Sequence, residues 1–275
     1  ASLPIRDWIV VASVFVLALV LGMAFSARLL FPGGPWEGGG RPVTPPFTAG
    51  FLLGTDTIGR SVLAGILYGS RVSLLVGIVA TALPFLLGML VGAVAGYSGG
   101  LIDDALMRLT ELFQTVPHFM LALVLVAILT PSIASIIIAI SVVSWPPVAR
   151  LVRAEFLSLR NREFVEAAVL AGRSHSSIVL KEILPNALGP VVVMASLMVA
   201  TAILLEAAIS FIGLGDPNLM SWGYMVGASR TALRTAWWVS VVPGLAVFLT
   251  VLAINFVGEA LNEALNPRSA LKAYQ

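Results

Sequence analysis

Read for hydrophobicity alone, the chain is a succession of long apolar runs parted by shorter stretches in which Gly, Pro and charged residues gather. A membrane-crossing helix needs about 20 mostly apolar residues. Six runs meet that condition, at roughly 8–31, 72–97, 112–130, 132–151, 188–213 and 236–262. Only Thr130, Pro131 and Ser132 divide the third run from the fourth, which predicts a tight hairpin. Arg6 ahead of the apolar Trp8–Phe25 has the outline of a secretory signal, but the run exceeds the ~7–15 residues of such a core, so it is read as a first membrane helix.

The connecting stretches are unequal. The first, 32–71, opens with Pro32-Gly33-Gly34-Pro35 and reads as irregular to about Thr55, after which Asp56–Tyr68 is expected to form a short interfacial helix. The stretch 152–187 is long and polar and carries a helical pattern of its own. The last, 214–235, holds Asp216, Pro217 and Trp222 and reads as a loop.

Composition agrees with the pattern. Hydrophobic residues make up 59% of the 275, charged residues only 11%, and the mean hydropathy is +1.00. Soluble domains carry about 25% charged residues, so most of this surface must face lipid. The expected fold is an all-α membrane protein, a single transmembrane domain over 1–275 built as a bundle of six helices. The net charge of +2 comes from scattered arginines, with no cluster that suits nucleic acid. Cysteine is absent, which excludes a disulfide framework, a thiolate metal site and a cysteine nucleophile. The two histidines, His118 and His175, have no companion acid or oxyanion-hole pattern, so no catalytic residue is expected. No phosphate loop is present and the only lysines are Lys181 and Lys272, so the chain is not expected to bind ATP itself.

Orientation follows from Lys and Arg. With six spans, Arg6, Arg108, Arg150, Arg153, Arg160, Arg162, Arg173, Lys181, Arg268 and Lys272 share one side, against Arg28, Arg41, Arg60, Arg71, Arg230 and Arg234 on the other. The excess puts both termini and the 152–187 loop in the cytoplasm and 32–71 outside, although the first helix taken alone points the other way.

The most informative stretch is Glu163–Pro185, EFVEAAVLAGRSHSSIVLKEILP. Phe164, Ala168 and Ala171 fall on one helical face, with Val165 and Val169 beside it. Glu166, Ala167 and Ala168 pair an acid with small side chains that allow close approach. Gly172 stands where a helix end needs a left-handed residue, and Ser174 can cap a second short helix ending before Pro185. An ordinary amphipathic connector would have the same pattern. Elsewhere, Gly88, Gly92 and Gly96 recur every four residues, a spacing that lets two membrane helices pack closely. Glu206, with Ser210 one turn on, lies inside the fifth run. An intramembrane carboxylate points either to a translocation pathway or to a structural hydrogen bond.

Glu163–Pro185 resembles the EAA loop of ABC importer permeases: EAA, three residues, Gly, nine residues, Ile, one residue, Leu-Pro. Glu166, Ala167, Ala168, Gly172, Leu184 and Pro185 match in register, while Glu182 stands at the Ile position and Ile183 follows it. Three further stretches are similar to the dipeptide and oligopeptide branch: Gly54–Arg60 through Gly69, Arg71, Ser73 and Leu74, with Ser61 where Asp is usual; Ser210–Gly215 with Trp222-Gly223; and Leu265-Asn266-Pro267-Arg268, with Asn for Asp. The resemblance implies a permease subunit in a bacterial cytoplasmic membrane. It implies a second homologous permease, an extracytoplasmic solute-binding protein, and two cytoplasmic ATPase subunits that bind ATP and Mg, with the EAA loop (Glu163, Phe164, Glu166, Ala167, Ala168, Ala171, Gly172, Leu184, Pro185) as the coupling element. Di- or oligopeptides are the expected cargo; nickel chelates, opines and glycans are carried by relatives of the branch. A secondary transporter would need ion-coordinating groups at mid-membrane, for which Glu206 is the one candidate.

Overall fold

The computed structural model describes residues 5–265, and among these there are helices and loops with only isolated β-bridges. Helix α1 (Ile5–Leu30) runs along the outside of the bundle, with Phe15, Phe25 and Leu29 largely exposed to where lipid would lie. Helix α2 (Val62–Ser98) is its central member and packs against α1, α5 (Ile133–Leu159) and α8 (Leu184–Ile209); α10 (Trp238–Leu265) closes the bundle against α8 and α1. Among the described residues, five helical stretches are long and apolar enough to cross a membrane. A sixth crossing requires counting α3 (Gly100–Gln114) and α4 (His118–Leu129) as one broken span.

Several expected boundaries move, each for a local reason. Residues 56–68 do not form a separate interfacial helix. Asp56–Arg60 is a tight turn in which Asp56 accepts from the backbone N–H of Ile58 and Arg60 and pairs with the Arg60 guanidinium at 2.7 Å. Ser61 then caps α2, accepting from Ala64 N–H, and the helix continues unbroken for 37 residues. The run 112–130 is not one straight helix. Pro117 disfavours a helical residue before it, and the chain bends by 79° between α3 and α4. The run 132–151 extends to Leu159, so the connector begins later than its polarity suggests. Ser132 and Asp216 both serve the start of α5, Asp216 Oδ2 accepting from Ile133 N–H at 3.0 Å.

The second short helix, α7 (His175–Ile178), does not end before Pro185. It passes through a wider π-turn at Val179–Ile183 into α8. Leu184 N–H reaches back five residues to Val179 O, and Asn186 Nδ2 donates to Glu182 O at 2.6 Å, the carbonyl its own backbone would serve in a regular α-turn. That is how the Leu-Pro-Asn sequence is accommodated without breaking the helix. Finally, 214–235 is more than a loop: it contains α9 (Trp222–Ala228), which folds back so that Trp222 is fully buried and donates from Nε1 to Ile66 O of α2. Leu265–Arg268, beyond its first residue, lies outside the described residues.

The glycines at 88, 92 and 96 face α5. A Cβ on Gly88 would stand 2.5 Å from Val148 Cβ, on Gly92 2.4 Å from Ala149 O, and on Gly96 2.6 Å from Phe156 Cβ. The two backbones are therefore in direct contact along this seam. The small-residue ladder starts earlier: Gly65, Gly69 and Gly77 of the same helix meet Met225, Trp222 and Ile203.

Candidate functional site

Helix α6 (Glu163–Leu170) lies between α5 and α7. It ends in a fully formed Schellman turn: Gly172 has φ +73°, its N–H bonds to Val169 O, and Arg173 N–H bonds to Ala168 O. Ser174 caps the next helix by accepting from Ser177 N–H. The inward face of α6 is Val165 and Ala168, buried with Phe156, Ile178 and Ile183. Phe164, Ala167, Ala171, Glu163 and Glu166 are exposed, and Leu170 is 89% exposed. The structure thus separates residues expected on one face: Ala168 points inward, while Phe164 and Ala171 point away from the protein. Leu184 is half-buried and Pro185 exposed at the start of α8.

The departure at Glu182 also has a physical account. Glu182 forms an ion pair with Arg173 across the turn, while the next residue, Ile183, fills the apolar core. Tyr97, at the end of α2, hydrogen-bonds His175 Nδ1 at 2.6 Å. Arg160 donates to Gly96 O, and Arg153 makes a bidentate pair with Asp103 of α3 at 2.5 and 2.6 Å. The turn after α6 is tied by the Arg173–Glu182 pair and the segment beyond it by Tyr97–His175, while the outward face of α6 is exposed.

Glu206 and Ser210 are brought together, but inside the protein. Glu206 is 0% exposed, and its Oε1 accepts from Ser210 Oγ at 2.7 Å and from Ser221 Oγ at 2.6 Å. Ser221 also caps α9, accepting from Tyr224 N–H. Beside it, a Cβ on Gly223 would stand 2.5 Å from Ala207 Cα. The carboxylate is the hydrogen-bonded joint between α8 and α9. Ser221 was missed in the sequence because its approach depends on the fold-back of α9. The Trp222-Gly223 pair carried the one available signal, a large residue beside one that permits close backbone contact.

Residues 88–270 match the family described as binding-protein-dependent transport system inner membrane component. The chain belongs to this family. Among relatives of this inner-membrane component, the di/tripeptide transport system permease protein DppC of Pseudomonas aeruginosa (strain UCBPP-PA14) is 39% identical over 245 residues, 89% of this chain and 78% of that one. The dipeptide transport system permease protein DppC of Bacillus subtilis (strain 168) is 35% identical over 265 residues, 96% of this chain and 83% of that one. The oligopeptide transport system permease protein OppC of Haemophilus influenzae is 36% identical over 268 residues, 96% and 86%. A solved structure of the MetNI methionine ABC transporter, in an inward-facing conformation, shares the fold, with a TM-score of 0.62 at 19% identity over 74% of this chain and 96% of that one. The stretch of the inner-membrane component that matches the family begins at the first seam glycine and contains both α6 and Glu206.

Proposed function

We propose that this inner-membrane component forms half of the translocation pathway of an ATP-driven importer of short peptides, and that α6 is its contact with a cytoplasmic ATPase. The names of the relatives support the cargo. The outward face of α6 supports the coupling role, because Leu170 and its small neighbours Ala167 and Ala171 present apolar surface that none of the described residues covers. The working assembly pairs the chain with a second permease, two ATPase subunits holding ATP and Mg, and an extracytoplasmic binding protein. Closure of the ATPase pair would move both docked helices and switch the access of the pathway.

The chain has no cysteine, so single thiols are clean probes. Ala171→Cys is expected to crosslink to an ATPase subunit, and Ala168→Cys, on the inward face, is not. Crosslinking from Ala168→Cys with none from Ala171→Cys would overturn this orientation of α6.

A further inference from the structure

Glu206 is held at the α8–α9 joint through Oε1, which takes both serine hydroxyls, while Oε2 is buried with no hydrogen-bond partner among the described residues. A cavity of about 200 Å³ between α2, α4, α5 and α8 is different. Its polar lining is Thr81, His118, Ser144 and Thr201, and Met194 and Met198 form much of its apolar wall. The contributing positions of α2, α5 and α8 fall near the middle of those helices, away from both ends, and His118 opens α4.

The lining is mainly apolar and carries four polar side chains, one from each helix. Thr81 is 5% exposed, yet its Oγ1 has no hydrogen-bond partner among the described residues. Pro147 has no N–H to offer the Val143 carbonyl four residues back, and His118 Nε2 stands 2.5 Å from that oxygen. A carbonyl only accepts, so the ring donates there and Nδ1 is its remaining polar atom. Thr201 donates to Leu197 O at 2.8 Å and keeps its lone pairs as acceptors. The lining contains hydroxyls that both donate and accept, an imidazole, and no Asp, Glu, Lys or Arg. This chemistry suits a neutral group with one N–H and one C=O, which is a peptide unit. The two methionines can reshape around side chains of different form.

We propose that this cavity is where the chain touches its cargo, holding an uncharged peptide unit and the side chain next to it. The proposal rests on the peptide-importer reading above.

The test uses the complete transporter, with the partner subunits made cysteine-free, in proteoliposomes. Thr201→Cys is expected to react with a membrane-impermeant thiosulfonate roughly tenfold faster than Leu204→Cys, which lies outside the lining, because a thiol needs water to ionise. A Thr201→Cys thiol as inert as Leu204→Cys in every nucleotide state, from both sides, overturns the cavity's place on the pathway whatever the cargo. Thr81→Val keeps the shape and removes the hydroxyl, and is expected to lower dialanine uptake about 2–10-fold at equal yield of assembled transporter, the loss of one hydrogen bond. Unchanged uptake overturns the hydroxyl contact. If the unaltered transporter shows no ATP-driven uptake of dialanine or trialanine, the peptide reading fails instead. The thiol reaction is run without cargo, so the two failures are told apart.

Discussion

Small residues do opposite work in two regions of this protein. Along the α2–α5 seam, Gly88, Gly92 and Gly96 are buried, and each has backbone or a Cβ within 2.4–2.6 Å of where its own Cβ would be. On α6 and the turn that ends it, Ala167 and Ala171 are also small but exposed, and Gly172 has nothing within 4 Å of an added Cβ. In the seam, smallness is consumed by a contact within the chain. On α6 it is left over. A substitution that damages the seam therefore reports on folding, whereas one on α6 that damages transport without touching stability reports on a partner.

The sharpest break in this comparison is Gly92→Leu. A side chain there must push apart two backbones in contact, and overpacking of this kind costs about 1–3 kcal/mol or more. The expected outcome is loss of monodisperse protein in detergent. Next is Glu206→Leu, which leaves the Ser210 and Ser221 hydroxyls buried without their acceptor, a loss of about 1–3 kcal/mol for each group left unmet. It should lower the thermal unfolding midpoint clearly, whereas Glu206→Gln, whose amide oxygen can take both hydroxyls, should lower it little. A midpoint unchanged in Glu206→Leu would mean that the joint is not structural. Gly172→Val forces a β-branched residue to φ +73° in open space, so its effect is backbone strain of about 1–2 kcal/mol at one turn. Inserted protein is expected at near-normal levels, with ATP hydrolysis uncoupled from uptake. The smallest effect on stability is that of Ala171→Leu, within about 0.5 kcal/mol as for most surface changes. Weakened co-purification of the ATPase with an unaltered unfolding midpoint would complete the contrast with the seam; full co-purification would remove Ala171 from the interface.

Much of the architecture is legible in hydrophobic length, because lipid demands long helices whatever their packing. The errors lie where one helix differs from its neighbour in packing. Asp56–Tyr68 looks separate from 72–97 because Gly69, Ser70 and Arg71 lower the apolar content, yet they include no proline, and a single glycine costs a helix only about 1 kcal/mol. Gly69 is there to admit Trp222. The run 112–130 concealed a bend because length outweighed Pro117. On α6, the motif located the helix and its turn, but the inward face is set by Val165 and Ala168 meeting Ile178 and Ile183, which belong to the next helix. The cluster of polar groups in the His118 cavity was not legible at all. Its four polar groups come from four helices and have no sequence spacing in common.

Helix α2 has one further consequence. At about 1.5 Å per residue its 37 residues span roughly 56 Å, nearly twice a hydrocarbon core of about 30 Å. One end is rooted in the Asp56–Arg60 turn and the other holds His175 through Tyr97, beside the α6 turn. It is a lever with handles on both sides of the membrane. A tilt of about 10° about its midpoint would carry each end roughly 5 Å. If α6 is pushed by a partner, such a tilt would carry a displacement of similar size to the far side.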